Sequence, residues 1–232
     1  MNTSNTMQMQ HIYPLLGSIF YLYFPKKIVK DVEPSSVNNY AIIHNVCLQM
    51  FSMYVAYNLL YALYTYGIVI ERNYYFQYKH IDNVIYYFYL SKYYEYVDTI
   101  ILYAKKREPI FLQKFHHLGA VIVWHLGYVN KCEGMLFVCL WNSIVHSIMY
   151  LYYLLALLKF DVNKYRIYIT SLQLVQLLTG SIMLPYFFYT LETSQNKNVI
   201  VIFNIYIVCL LYLFSEFMVK NYLVKNNKIK NQ

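Results

Sequence analysis

Long apolar stretches alternate with short polar segments along the whole chain. A helix that crosses a bilayer needs about 20 consecutive, mostly apolar residues. Measured against that length, the pattern predicts seven helices, at residues 11–25, 39–66, 81–104, 112–130, 135–158, 167–190 and 198–219. The predicted fold class is therefore an all-α membrane protein with seven transmembrane helices.

The composition agrees with this prediction. Of the 232 residues, 59% are hydrophobic and only 13% are charged, which is too little polar surface for a soluble domain of this size. Because the apolar stretches extend over the full length, residues 1–232 are expected to form a single polytopic domain with a lysine-rich cytosolic tail at 220–232. The first residues lack the pattern of a cleavable signal peptide, so none is expected.

The distribution of Lys and Arg predicts the orientation, because cytosolic segments retain positive charge. Fourteen of the nineteen fall in one set of alternate segments: Lys26, Lys27, Lys30, Lys105, Lys106, Arg107, Lys114, Lys159, Lys164, Arg166, Lys220, Lys225, Lys228 and Lys230. The opposite set holds four: Arg72, Lys79, Lys131 and Lys197. The C-terminus is therefore predicted in the cytosol and the N-terminus in the lumen. The last five residues, KIKNQ, match the KxKxx form of a cytosolic di-lysine retrieval signal, which predicts the endoplasmic reticulum membrane.

Polar side chains interrupt four of the predicted spans, where desolvation makes them costly and therefore candidates for function. At helical spacing they form one stripe in each span: Lys92, Glu95 and Asp98; Gln113, His116 and His117; Asn142, His146, Tyr150 and Tyr153; Thr170, Gln173 and Gln176. Each stripe alone has a simpler interpretation. The charged stripe could neutralise itself within its helix, and amide and imidazole groups could link neighbouring membrane helices by hydrogen bonds.

The depth of these groups favours a shared site. With a rise of about 1.5 Å per residue, Asp98, His116, Thr170 and Gln173 fall within roughly 5 to 10 Å of the predicted cytosolic end, and His146 slightly deeper. Polar groups that only link neighbouring helices by hydrogen bonds could lie at any depth in the membrane, whereas groups that line one cavity must share a depth. The pattern therefore predicts an internal cavity that opens toward the cytosol.

The histidines do not predict a metal site. A membrane di-iron site would need HxxxH and HxxHH boxes, but the chain has only seven histidines, no HxxxH, and Gln113 at the first position of the second pattern. Three others, His11, His44 and His80, are predicted near span ends and at other levels. Imidazole as a nucleophile or general base remains, with His116 and His146 as candidates. His125 is expected to be structural or interfacial and not catalytic, because it lies on the opposite face from His116.

The four stripes resemble the sequence boxes of the very-long-chain fatty acid elongase (ELO) family, the 3-ketoacyl-CoA synthases. KYYEYVDT matches KxxExxDT, HSIMYLYY matches HxxMYxYY, and TSLQLVQ matches TxxQxxQ, each at every fixed position. FLQKFHH matches FLHxYHH only in part, because Gln113 and Phe115 replace its first histidine and its tyrosine. The boxes follow the order of the family.

The resemblance implies a seven-helix bundle in which six helices enclose a narrow acyl tunnel, open to the cytosol and closed at the lumenal end. It implies condensation of an acyl-CoA with malonyl-CoA to a 3-ketoacyl-CoA two carbons longer, with release of CO2 and CoA. No cofactor is implied beyond these two substrates. The expected partners are membrane lipid, the ketoacyl-CoA reductase, dehydratase and enoyl reductase of the elongation cycle, and a second copy in a homodimer. No nucleic-acid partner is indicated.

The resemblance also assigns roles. His116 is the expected nucleophile, His146 its partner in acid/base chemistry or enolate stabilisation, and His117 an orienting group. Substrate-binding or supporting roles are expected for Lys92, Glu95, Asp98, Thr99, Gln113, Asn142, Tyr150, Tyr153, Thr170, Gln173 and Gln176.

Two alternatives remain open at this point. A seven-span receptor or transporter could bind a ligand with the same polar stripes, and Gln113 leaves room for an inactive elongase homologue. The preferred length and saturation of the acyl chain do not follow from the sequence.

Overall fold

A computed structural model describes residues 12–69, 74–190 and 194–224, and these residues are helical throughout apart from short connections. The helices of nine residues or more are α1 (Ile12–Tyr23), α2 (Val37–Tyr66), α3 (Lys79–Tyr94), α4 (Tyr96–Ala104), α5 (Phe111–Val129), α6 (Met135–Leu157), α7 (Arg166–Thr190) and α8 (Ser194–Met218). Each of the seven predicted stretches coincides with helix. The prediction of an all-α fold is confirmed.

The third predicted helix, residues 81–104, is wrong as a single element because it divides into α3 and α4 at Glu95. The amide of Asp98 donates to the carbonyl of Glu95 at 3.1 Å, a bond across three residues. Such a bond tightens the turn relative to an α-helix. Glu95 and Asp98, the two carboxylates of the stripe, thus flank the irregular turn.

Four of the described helices are long and apolar enough to cross a membrane, at Pro34–Tyr66, Met135–Leu157, Asn163–Thr190 and Asn196–Leu223. Helix α1 is shorter, with 12 residues. The count of seven spans stays a prediction. Large apolar side chains cover the outside of the bundle, among them Tyr64, Ile68 and Tyr212, as a surface that meets lipid requires.

The helices pack in a closed cycle. Helix α2 packs along α6, α6 contacts α7, α7 packs along α8, α8 contacts α5, α5 contacts α3, and both α3 and α4 contact α2. Helix α1 lies against α5. The main apolar core lies between these helices and includes the rings of Phe88, Trp124 and Phe203. The ring centroid of Trp124 is 4.6 Å from that of Phe88 and 5.2 Å from that of Phe203.

The connections between α2 and α3 and between α5 and α6 meet at one end of the bundle. The amide of Tyr75 donates to the carboxylate of Glu133 at 2.5 Å, and both side chains are fully buried. The hydroxyl of Tyr75 donates to the carbonyl of Gly67 at 2.6 Å and accepts from the amide of Val69 at 3.0 Å. The bond to Glu133 joins the two connections, and the bonds to Gly67 and Val69 hold the first connection in shape.

Several residues used in the sequence analysis lie outside the described part of the chain. These are His11, Arg72, and the tail residues Lys225, Lys228 and Lys230.

Candidate active site

A buried ion pair joins α3 to the turn that precedes α4. Lys92 Nζ lies 2.6 Å from Glu95 Oε1, and the two side chains are 2% and 3% exposed. The ammonium also donates to Asn142 Oδ1 on α6 at 3.3 Å and lies 4.1 Å from the centroid of the Phe88 ring. His146 Nδ1 is 3.6 Å from Glu95 Oε1. The charged stripe is therefore bound to polar groups of α6 and is not confined to its own helix.

Asp98 joins three helices. One carboxylate oxygen accepts a hydrogen bond from Tyr150 on α6 at 2.9 Å, and the other lies 2.9 Å from His44 Nε2 on α2. A carboxylate can only accept, so Nε2 of His44 carries the proton. The prediction that His44 lies at another level than the polar groups is wrong. It lies in the second turn of α2, but its buried side chain reaches Asp98 inside the bundle.

Three histidine rings approach one another near this network. The ring centroid of His116 lies 5.4 Å from that of His117 and 6.5 Å from that of His146. The His146 ring is in turn 5.7 Å from Tyr150. Because α5 and α6 are not consecutive in the cycle of helix contacts, His116 and His146 approach each other across the interior of the bundle.

His117 and Thr99 lie on the side of the site that faces α1. The Tyr21 hydroxyl is 3.0 Å from Thr99 Oγ1, and its ring is 6.1 Å from that of His117 between centroids. Tyr21 also stacks on Tyr96 at 4.3 Å. All of these side chains are buried. Helix α1 thus covers the site with one aromatic residue.

The other predicted residues are less closely connected. Gln173 Nε2 approaches Met149 Sδ at 3.2 Å, beside Tyr150, whereas Thr170 donates to the carbonyl of Arg166 in its own helix at 3.2 Å. Within the described ranges, the network makes no hydrogen bond to three of the predicted residues: Gln113, Tyr153 and Gln176. Tyr153 is 41% exposed, although its ring lies 6.2 Å from Tyr150.

Two histidines that were predicted to lie apart from the site make bonds elsewhere. His125 Nδ1 on α5 is 3.1 Å from the Tyr89 hydroxyl on α3, which contacts the Tyr93 hydroxyl at 2.9 Å. His80 Nε2 is 2.7 Å from Asn58 Oδ1. Within the described ranges, no group of three His, Cys, Asp or Glu side chains is arranged to hold a metal ion.

Tyr206 on α8 is a contact of the site that the sequence analysis missed. Its hydroxyl donates to the backbone carbonyl of His116 at 2.7 Å and lies 3.1 Å from Nδ1 of the same residue. The chain has thirty tyrosines, and α8 carries none of the four sequence boxes. A pattern along the chain therefore offered no signal for this contact.

Basic residues from two connections and from the first turn of α5 gather at one end of the bundle. Lys26 and Lys114 both approach the ring of Tyr103, at 5.9 and 5.8 Å from its centroid. Lys106 donates to the carbonyl of Lys30 at 2.6 Å. Lys26 also forms an exposed ion pair with Glu108, and this hydrogen bond lowers the pKa of the Glu108 carboxyl below its ordinary value.

Replacing His44 by leucine is expected to lower the free energy of unfolding by about 1–3 kcal/mol, because Asp98 then loses one of its two hydrogen-bond donors inside the bundle. Thermal unfolding of the purified protein in detergent measures this effect. His44→Gln retains a donor and serves as the control, with a smaller expected loss. An unfolding temperature unchanged in His44→Leu would show that the bond contributes nothing to stability.

Comparison with known proteins agrees with the sequence boxes. The sequence profile of the ELO family, described as GNS1/SUR4, matches residues 5–230. The chain belongs to the ELO family. It is therefore a multi-pass membrane protein of a fatty acid elongase family, and the resemblance identified from the four boxes is confirmed.

Three relatives that match this chain are themselves named fatty acid elongases. The fatty acid elongase sre1 of Dictyostelium discoideum is 33% identical over 196 residues, which cover 80% of this chain and 73% of that protein. Very long chain fatty acid elongase 4 of Trypanosoma cruzi (strain CL Brener) is 31% identical over 188 residues, 74% of this chain and 63% of that protein. Fatty acid elongase A of Dictyostelium discoideum is 28% identical, with 93% and 85% covered. The chain thus spans less than two thirds of the Trypanosoma relative.

Proposed function

We propose that this ELO protein condenses an acyl-CoA with malonyl-CoA, giving a 3-ketoacyl-CoA two carbons longer, CO2 and CoA. The observation that carries the proposal is the approach of His116 and His146 across the bundle, 6.5 Å between ring centroids, beside the buried pair of Lys92 and Glu95. Neutral imidazole is a competent nucleophile in a site that excludes water.

In the proposed first half-reaction, a ring nitrogen of His116 attacks the thioester carbonyl of the acyl-CoA. A bond forms between this nitrogen and the acyl carbon, and the bond between carbon and sulfur breaks. The imidazole gives up its N–H proton, and the departing CoA thiolate takes up one proton. The products are an acyl-imidazole and free CoA, so atoms and charge balance.

In the proposed second half-reaction, malonyl-CoA loses CO2 and leaves the enolate of acetyl-CoA. The enolate carbon attacks the acyl carbon on His116, the bond to the ring nitrogen breaks, and the imidazole recovers one proton from the medium. His146 lies on the opposite side of the interior, so it is the candidate to stabilise the enolate oxygen. Fixed donors at a developing oxyanion are the usual source of such stabilisation.

Asn142 is oriented to help in this step. Its Oδ1 accepts from Lys92, which leaves the two N–H donors of the amide directed away from the ammonium. We assign these donors to a carbonyl oxygen of the substrate. Lys92 and Glu95 nearly cancel each other's charge, so this pair adds little net charge to the site before substrate binds.

The proposed location of the acyl chain is the interior of the helix cycle, within one polytopic domain of seven spans. The cycle consists of α2, α3 with α4, α5, α6, α7 and α8, which we propose as six of the spans, and the connections at Tyr75 and Glu133 meet at one end. The basic residues at the connections of Lys26 and Lys106 suit the phosphates of CoA. We accordingly place that end and the C-terminus in the cytosol, and the protein in the endoplasmic reticulum membrane.

The product of this condensation is a 3-ketoacyl-CoA, and the next chemical steps are its reduction, dehydration and second reduction. We therefore propose a ketoacyl-CoA reductase, a dehydratase and an enoyl reductase as functional partners. Homodimer formation is a further proposal that follows from the family resemblance.

The test is elongation by microsomes that contain the protein. They are incubated with labelled malonyl-CoA and a panel of saturated, monounsaturated and polyunsaturated acyl-CoA primers, beside microsomes without it. Label is expected in 3-ketoacyl or elongated products for at least one primer, and the panel also gives the preferred chain length. The absence of label with every primer, from protein shown to be inserted, would rule out the condensing activity.

A further inference from the structure

Tyr206 makes two contacts with one residue, although it lies 90 positions away in the sequence. Its hydroxyl oxygen is 2.7 Å from the backbone carbonyl oxygen of His116 and 3.1 Å from Nδ1 of the His116 ring. Both distances are within hydrogen-bonding range. Tyr206 is buried, so water does not compete freely for these bonds.

The number of protons decides the direction of the second bond. A tyrosine hydroxyl has one proton to donate, and the backbone carbonyl can only accept, so the proton of Tyr206 lies toward the carbonyl. The hydroxyl oxygen must then accept from Nδ1 of His116. A neutral imidazole carries a single N–H, so with the proton on Nδ1, Nε2 has a free lone pair.

We propose that Tyr206 is the positioning residue of the condensing reaction: it fixes His116 as the Nδ1–H tautomer and turns Nε2 away from α8, toward the interior where the acyl group is received. This inference rests on the proposed role of His116 as nucleophile. Tyr206 itself does not contact the reacting atoms. It acts through the ring it orients, as a hydrogen-bonded second residue commonly does for histidine.

The packing of α5 against α8 provides independent support. A Cβ added at Gly119 would lie 2.2 Å from Cε2 and 2.7 Å from Cδ2 of the Tyr206 ring. Only glycine therefore fits at this position, one turn beyond His116. Small residues allow membrane helices to approach closely, and here the close approach brings the Tyr206 hydroxyl to His116. The ring of Phe115 lies on the same side, 5.8 Å from the Tyr206 centroid.

The experiment compares Tyr206→Phe with Tyr212→Phe, which removes a hydroxyl from an exposed tyrosine of the same helix. Formation of the acyl-enzyme from a labelled acyl-CoA is followed in single turnovers of detergent-purified protein. In Tyr206→Phe the acylation rate is expected to fall roughly 10- to 100-fold, because a misoriented nucleophile loses about that much. The KM for acyl-CoA should change less than about threefold, since the ring does not bind the acyl chain. Tyr212→Phe should retain the rate of the unaltered protein.

A second measurement reads the tautomer directly. In protein labelled with 15N-histidine, the His116 resonances are assigned by their loss in His116→Gln, and the nitrogen shifts distinguish protonated from unprotonated ring nitrogens. The unaltered protein is expected to show a protonated Nδ1 and an unprotonated Nε2. Tyr206→Phe should show a mixture of the two tautomers, whereas a purely structural role for Tyr206 would leave the ratio unchanged.

The outcomes separate the two claims. An unprotonated Nδ1 in the unaltered protein would overturn the role of Tyr206, and this result requires no variant to fold. An acylation rate in Tyr206→Phe equal to that in Tyr212→Phe would also overturn the role of Tyr206. If the unaltered protein forms no acyl-enzyme but His116 is the Nδ1–H tautomer, the proposed nucleophile fails while the orienting bond stands.

Discussion

Replacement of His116 by alanine is expected to reduce the condensation rate by at least about 1,000-fold, a loss of roughly 4 kcal/mol of transition-state stabilisation. The variant keeps the helix and the apolar core, but it has no ring nitrogen to receive the acyl group. Addition of labelled acyl-CoA should leave the protein unlabelled, and the microsomal assay should show no elongated product above background.

His80→Ala is the matched control for this experiment. His80 is exposed and bonds to Asn58, away from the three rings of the site, so this variant is expected to elongate at the normal rate. Equal amounts of inserted protein must be verified for both variants. Elongation retained in His116→Ala would transfer the nucleophilic role to another residue, with His117 and His146 as the remaining histidines of the site.

Replacement of Lys92 by methionine is expected to destabilise the protein by about 3–5 kcal/mol. This is the usual cost when one member of a buried ion pair is removed and the other charge stays buried without a partner. The Glu95 carboxylate would then remain inside the bundle with His146 as its neighbour, and no other Lys or Arg of the described residues forms an ion pair with it. A methionine side chain fills nearly the same volume, so the loss reflects charge more than packing. The unfolding temperature in detergent and the yield of inserted protein measure the effect.

The double variant Lys92→Met/Glu95→Gln tests the reason for that loss. It removes both charges, and much of the stability is expected to return, because a neutral amide costs far less to bury than a carboxylate. Lys26→Met breaks the exposed ion pair with Glu108 and is expected to change the unfolding temperature little. If the single and double variants at Lys92 were equally unstable, charge imbalance would not be the cause.

The sequence predicted the helices well because each one has to satisfy its own backbone hydrogen bonds in lipid. Hydrophobicity over about 20 residues is therefore a local signal, and the observed helix ends lie within four residues of the predicted ones. The break at Glu95 was not predicted, because one tightened turn changes neither the hydrophobicity nor the spacing of the stripe.

The candidate site was likewise predicted from the sequence only in part. Spacing placed Lys92, Glu95, Asn142 and His146 on inward faces, and the structure joins these four residues by direct contacts. Spacing also selected Gln113 and Gln176, which the described structure leaves outside the network. A helical period tells which face a residue occupies, but it does not tell which residue of another helix lies opposite.

The sequence by itself determined that this protein is an all-α membrane protein of the elongase type, since both the apolar stretches and the four boxes are local patterns. Only the tertiary structure decided the partners of the polar groups. His44 reaches Asp98 across 54 positions, and Tyr206 reaches His116 across 90. These pairs follow from the order and rotation of the packed helices, which depend on the fit of many apolar side chains at once. No pattern within a single helix records that fit.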